Sequence, residues 1–138
     1  MNGQPGLGPL VTLRIIWAAL LMGQVAFLCV VMIVAGNQAP PDPHMMRIMF
    51  LVLLGMLIVM VPSGLIVRSI IYGGGRQPDG SITPAAYATG NIIFYAMCEG
   101  VGFFGLVCTM MNRGFGPHTI VALTAMGILL VSFPRGNA

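Results

Sequence analysis

Hydrophobic positions along the chain gather into four long runs, and polar, proline-bearing and glycine-bearing connectors separate them. The first run covers residues 10–35, with Gln24 its only interior polar residue after Arg14. The second covers 45–71, with Arg47 at one end and Arg68 at the other. The third covers 85–111 and the fourth 119–133. A spanning helix needs about 20 largely apolar residues, so three runs fit comfortably and the fourth is short. The alternating pattern of a membrane barrel strand is missing, and helices satisfy their own backbone groups in lipid. The expectation is an all-α polytopic membrane protein with four transmembrane helices. They are read as two tandem helical hairpins, residues 10–71 and 85–136, joined by a loop at 72–84, in one membrane domain spanning 1–138.

The connectors carry turn chemistry. Asn37 to Pro43 holds three prolines, Gly73 to Gly80 opens on three glycines, and Asn112 to Pro117 is tight. Pro62, inside the second run, is expected to kink its helix.

Composition strengthens this picture. Of 138 residues 57% are apolar and 7% charged, and the mean hydropathy is +0.94. An average soluble domain carries roughly 25% charged residues, so a soluble enzyme and a disordered chain are both excluded. A net charge of +3, scattered along the chain, excludes a nucleic-acid footprint, which needs a clustered basic face. The basic residues are all arginine and flank apolar runs, as membrane anchors do. The N-terminal segment lacks the basic start and short apolar core of a cleaved signal, so it reads as a retained span. Cys29, Cys98 and Cys108 lie inside apolar runs, which argues against a disulfide framework. With four spans, Arg14, Arg68, Arg76 and Arg135 share one side and Arg47 and Arg113 the other. The positive-inside rule then puts both termini in the cytoplasm of a bacterial-type inner membrane.

Two self-similar alignments suggest a duplicated hairpin. Arg14 to Gly23 lies over Asn91 to Gly100, keeping Ile-Ile-aromatic and the Ala19/Gly23 and Ala96/Gly100 spacings. Gly55 to Gly64 lies over Gly127 to Gly136, keeping Pro62 and Pro134 in register. Met22 stands in one copy where Glu99 stands in the other.

Glu99 is the position that carries most chemistry. It sits near the middle of the third run, where an acid costs about 2.5–3.5 kcal/mol on insertion scales. Such a residue faces protein or water, or is protonated. Counting back by fours, Tyr95, Asn91 and Tyr87 share its helical stripe, and Gln24 offers a hydrogen-bonding partner. Glu99, Tyr95, Asn91 and Gln24 are the candidate ion-binding set. Ala19, Gly23, Ala96, Gly100 and Gly102 are read as close-approach positions between helices. Gly100-x-Gly102-x-x-Gly105 matches a dinucleotide fingerprint only formally, because that motif needs a preceding strand. Twelve methionines show no metal-ligand spacing, and methionine fills apolar gaps readily. No cofactor, metal site or catalytic set is read from the sequence, so the chain is not expected to be an enzyme.

The stretch from Arg76 to Val107 resembles the proteolipid (c) subunit of rotary ATP synthases. Arg76-Gln77-Pro78 is followed by an apolar helix that reaches Glu99 and continues to Phe104-Gly105-Leu106-Val107. The resemblance implies that Glu99 carries a translocated proton or sodium ion and that Arg76, Gln77 and Pro78 meet a rotor stalk. The dense glycine run of the family's other helix is missing here. The readings are therefore a proteolipid-like ion-handling subunit, a non-catalytic accessory or structural subunit of a larger membrane complex, or a small proton-coupled transporter. The expected partners are the lipid bilayer and either further copies of the chain or a larger membrane complex.

Overall fold

A computed structural model describes residues 7–34 and 41–136. It contains four helices: α1 (Leu7–Val34), α2 (Pro43–Gly74), α3 (Pro84–Asn112) and α4 (Pro117–Val131). The apolar runs thus become helices within a few residues of their expected ends. Residues 37–40 of the first connector lie outside the described residues. Three helices begin with proline at the first position, where a missing N–H costs nothing and φ is already helical. Asp42 caps α2 by accepting from the His44 amide at 2.9 Å, and the Thr83 hydroxyl caps α3 by accepting from Ala86 N at 3.4 Å. α2 runs unbroken through Pro62.

α3 is the centre of the bundle. Half of its apolar window is buried, against 11% for α1 and for α2. It packs against all three other helices, whereas no residue pair brings α1 and α2 together among the described residues. The expected first hairpin is therefore not a packed pair: α2 turns back onto α3, and α1 lies on α3 separately. α1 runs parallel to α3, with Phe27 beside Phe103 and Val31 beside Leu106. α2 and α4 run antiparallel to it, with Tyr72 beside Tyr87, Leu53 beside Val101 and Thr119 beside Thr109. The second hairpin, α3–α4, does close. The two halves also differ locally, since residues 55–64 are helical while their counterparts from Ser132 onward are not.

The tightest seams are made by glycines. A Cβ on Gly105 would meet Ala122 Cβ at 2.8 Å, and one on Gly64 would meet the Phe94 ring at 3.0 Å. Lipid offers no hydrophobic drive for helices to associate, so close packing and hydrogen bonds must supply it. The many large apolar side chains exposed on α1 and α2 are what a lipid-facing surface requires.

α4 has 15 residues, about 22 Å at 1.5 Å per residue. That is short of the roughly 30 Å hydrocarbon core, so three helices rather than four have the length to cross. Beyond α4, residues 132–136 continue without regular structure along the bundle. Non-helical backbone at such depth persists only where protein satisfies it, and here it does. Trp17 Nε1 donates to the Leu129 carbonyl at 2.8 Å, Tyr95 Oη to that of Ser132 at 2.8 Å, and Arg14 Nε to that of Pro134 at 3.3 Å. Gly136 N donates to Tyr87 Oη at 3.2 Å.

The expected 72–84 loop shortens to residues 75–83, because α2 runs on to Gly74 and α3 starts at Pro84, and these residues form an ordered hairpin. Arg76 and Ile82 form an antiparallel bridge, Gly80 N donates to Gln77 O at 2.9 Å, and Gly80 takes φ +86°. This is the three-residue loop with a left-handed glycine. The Ser81 hydroxyl and amide hold the Asp79 carboxyl below its ordinary pKa. Asp79 therefore tightens the turn above the usual carboxylate range and releases it as acid protonates the group. Gly80→Ala forces a side chain into the left-handed region, at about 1–2 kcal/mol. Amide exchange at Gln77 and Gly80 is expected to quicken about five- to thirtyfold; unchanged exchange would show that the turn tolerates a Cβ.

Candidate functional site

Glu99 is the sixteenth of the 29 residues of α3, which places its carboxyl at mid-span. The residue is half-buried, and its carboxyl makes no hydrogen bond or ion pair among the described residues. The Gln24 side chain is fully buried beside it, but its amide donates at 3.4 Å to the Glu99 main-chain carbonyl, not to the carboxyl. Gln24 Oε1 has no partner. Gly102 makes the room for this amide, since a Cβ there would lie 2.7 Å from Gln24 Nε2.

The stripe below Glu99 divides. Tyr95 is buried and engaged with Ser132, while buried Asn91 donates to Tyr72 Oη at 2.6 Å and to the Tyr87 carbonyl at 2.8 Å. Four residues advance a helix by 400°, so an every-fourth series drifts by about 40° per step. Over the three steps the stripe passes from half-buried Tyr87 through buried Asn91 and Tyr95 and comes out again at half-buried Glu99. Glu99 and Gln24 are brought together through the backbone, and Tyr95 and Asn91 are directed elsewhere.

The expected close-approach positions also divide. Gly102 is packed, and a Cβ on Gly23 would touch Phe103 at an ordinary 3.8 Å. Ala19, Ala96 and Gly100 are exposed, and nothing lies within 4 Å of a Cβ on Gly100. Because α1 and α2 do not meet, α3 keeps an uncovered face carrying Thr89, Ile92, Ala96 and Gly100, with Glu99 at its edge beside α1. An apolar cleft of about 390 Å³ follows this face on the α2 side, between Met56, Met60, Ala96 and Gly100. Arg76, Gln77 and Pro78 are exposed on the hairpin turn, far along the chain from Glu99.

Two residues stand out in the structure and not in the sequence. His118 is buried in the first turn of α4, with Nε2 3.1 Å from the Met46 carbonyl and its ring edge-on to Phe50. It pins α4 to α2, and its Nδ1 has no partner. Arg68 is half-buried rather than simply extended to the interface: Nε donates to Tyr72 Oη at 3.0 Å, and the guanidinium lies over the Tyr72 and Phe94 rings. Its neighbour four residues on, Tyr72, was the available signal.

Three helices long and apolar enough to cross a membrane, gathered with a fourth around α3, define a small membrane-embedded helical protein. Compared with known proteins, the chain matches no family model, no curated protein and no solved structure.

Proposed function

We propose that this chain is a small membrane subunit that handles a proton or sodium ion through Glu99, in company with a partner outside the chain. The observation that carries this reading is the unsatisfied carboxyl of Glu99 at mid-span, on the edge of a helix face that α1 and α2 leave open. A carboxyl kept for packing alone is expected to be sealed and paired, because an unpaired buried polar group is costly. Intramembrane acids by default mark ion or proton chemistry. The resemblance of Arg76-Gln77-Pro78 and the Glu99 helix to the proteolipid subunits supports the same reading. If α4 and the segment after it complete a fourth crossing, the arginine distribution puts the start of α1, the hairpin turn and Arg135 on the cytoplasmic side.

The test is labelling by a hydrophobic carbodiimide, mapped by mass spectrometry across pH. Glu99 is expected to be modified at low pH and spared as pH rises, and Glu99→Gln to lose the label while the protein melts normally. No label at any pH would overturn ion handling. A second reading, an accessory subunit without ion chemistry, is favoured by the exposed small residues Ala96 and Gly100, which suit close approach of a foreign helix. It predicts that Gly100→Leu disrupts a complex while Glu99→Gln does not. The small-transporter reading draws less support, since Glu99 does not line the cleft beside Ala96 and Gly100.

A further inference from the structure

A second site, independent of Glu99, lies at the arginine-rich end of the bundle. There the last two turns of α2, the first turn of α3 and the end of α4 with the segment after it border an open cleft of about 380 Å³. Arg68, Tyr72, Tyr87, Ser132 and Arg135 contribute its polar lining.

Tyr72 Oη receives N–H groups from both Arg68 Nε and Asn91 Nδ2. The Asn91 amide orientation is fixed, because Nδ2 also donates to the Tyr87 carbonyl. A phenol oxygen has two acceptor positions and one proton to give, so the Tyr72 proton must be donated elsewhere. Tyr87 Oη likewise receives the Gly136 amide. Neither hydroxyl has an acceptor among the described residues. The terminal nitrogens of Arg68 and the whole guanidinium of Arg135 also make no hydrogen bond. Among the described residues no carboxylate pairs with either arginine: Asp42 caps α2 at the far end, Asp79 is engaged by Ser81, and Glu99 is at mid-span. The cleft therefore presents two positive charges and hydroxyl donors that no acceptor among the described residues takes up.

We propose that this cleft binds the phosphate of an anionic phospholipid headgroup. Arg68 and Arg135 grip the phosphate, and the Tyr72 and Tyr87 hydroxyls donate to it. Guanidinium forks suit phosphate oxygens, and basic pockets between helices at a membrane face take such headgroups. A lipid rather than free phosphate is indicated by the depth and the rim. Exposed Val131 and Phe133 border the cleft, offering apolar surface to acyl chains. Trp17 and the tyrosines gathered toward this end mark the headgroup level. Arg135 is carried into place by Arg14, which donates to the Pro134 carbonyl and stacks its guanidinium over Phe133.

The purified protein, titrated with phosphatidylglycerol or with phosphatidylcholine of the same chains, is read by native mass spectrometry for retained lipid. Phosphatidylglycerol is expected to be preferred, and the preference to fall about five- to tenfold in Arg135→Gln. It falls further in the Arg68→Gln, Arg135→Gln double variant. Arg47→Gln, which removes the same charge at the opposite end, leaves it unchanged. Arg135 is exposed and unbonded, so the single variant decides the matter if the double variant fails to fold. Equal retention of the two lipids, or a preference that survives Arg135→Gln, overturns the proposal. Raised melting temperature with millimolar inorganic phosphate, without any preference for phosphatidylglycerol, assigns the cleft to a soluble anion and overturns it as well.

Discussion

Gly105→Leu is expected to break the α3–α4 seam, while Gly100→Leu, five residues earlier on the same helix, leaves the isolated chain's stability within about 0.5 kcal/mol. The two glycines face opposite ways. At Gly105 an added Cβ meets not only Ala122 Cβ but also its backbone, with Cα at 3.1 Å and N at 3.2 Å. Backbone cannot swing aside as a side-chain tip can, so the helices must part along the contact. Overpacking a tight core costs about 1–3 kcal/mol. The Thr109–Thr119 hydroxyl contact at 3.1 Å, one turn away, would be lost with it. A total of about 3 kcal/mol or more is expected, measured by denaturant or thermal unfolding in detergent. Equal destabilisation by both variants would show that the α3–α4 approach is not the tight one.

The second large effect concerns the chain after α4. Tyr95→Phe keeps its ring, Trp17→Phe keeps an aromatic ring smaller than indole, and each removes one donor, leaving the Leu129 and Ser132 carbonyls less well satisfied. Interhelical hydrogen bonds in membranes average about 0.6 kcal/mol and reach about 1.7, whereas stranding a buried acceptor costs about 1–3 kcal/mol. The donors come from a half-buried indole and a fully buried tyrosine, so the higher range applies, and the pair is expected to cost about 2–4 kcal/mol. Trypsin cleavage after Arg135 supplies a local readout, since loss of these bonds frees the segment and cleavage accelerates. A double variant that melts normally and resists trypsin would contradict the role given to both donors.

Much of the helix layout was legible in the sequence, because four apolar runs of the right length leave lipid little choice. The last three starts lie one or two residues earlier than hydropathy placed them, at Pro43, Pro84 and Pro117, because proline fits the first helical position although it reads as a connector residue. Who packs on whom was not. Apolar residues face lipid and protein alike, so hydropathy does not single out α3 as the centre. The short fourth run was visible, but not that donors from Arg14, Trp17 and Tyr95 let the chain continue without a helix. Glu99 was conspicuous as an acid in an apolar run, yet spacing alone set Tyr95 and Asn91 beside it. The slow rotation of an every-fourth stripe, and the competing claims of Ser132 and Tyr72, took them away. The arginine cleft was hidden because Arg68 and Arg135 are far apart in the chain and meet only through the return of residues 132–136.

The lack of contact between α1 and α2 has a consequence for how the protein is made. Synthesis delivers these two helices before α3, yet they share no contact among the described residues on which to settle. Each must wait in the bilayer as a solitary rod, held there by its own apolar length, until the third helix emerges with faces for both. Assembly therefore cannot follow the order of translation. Insertion comes first, and lateral association follows in a separate stage that begins only once α3 has left the ribosome.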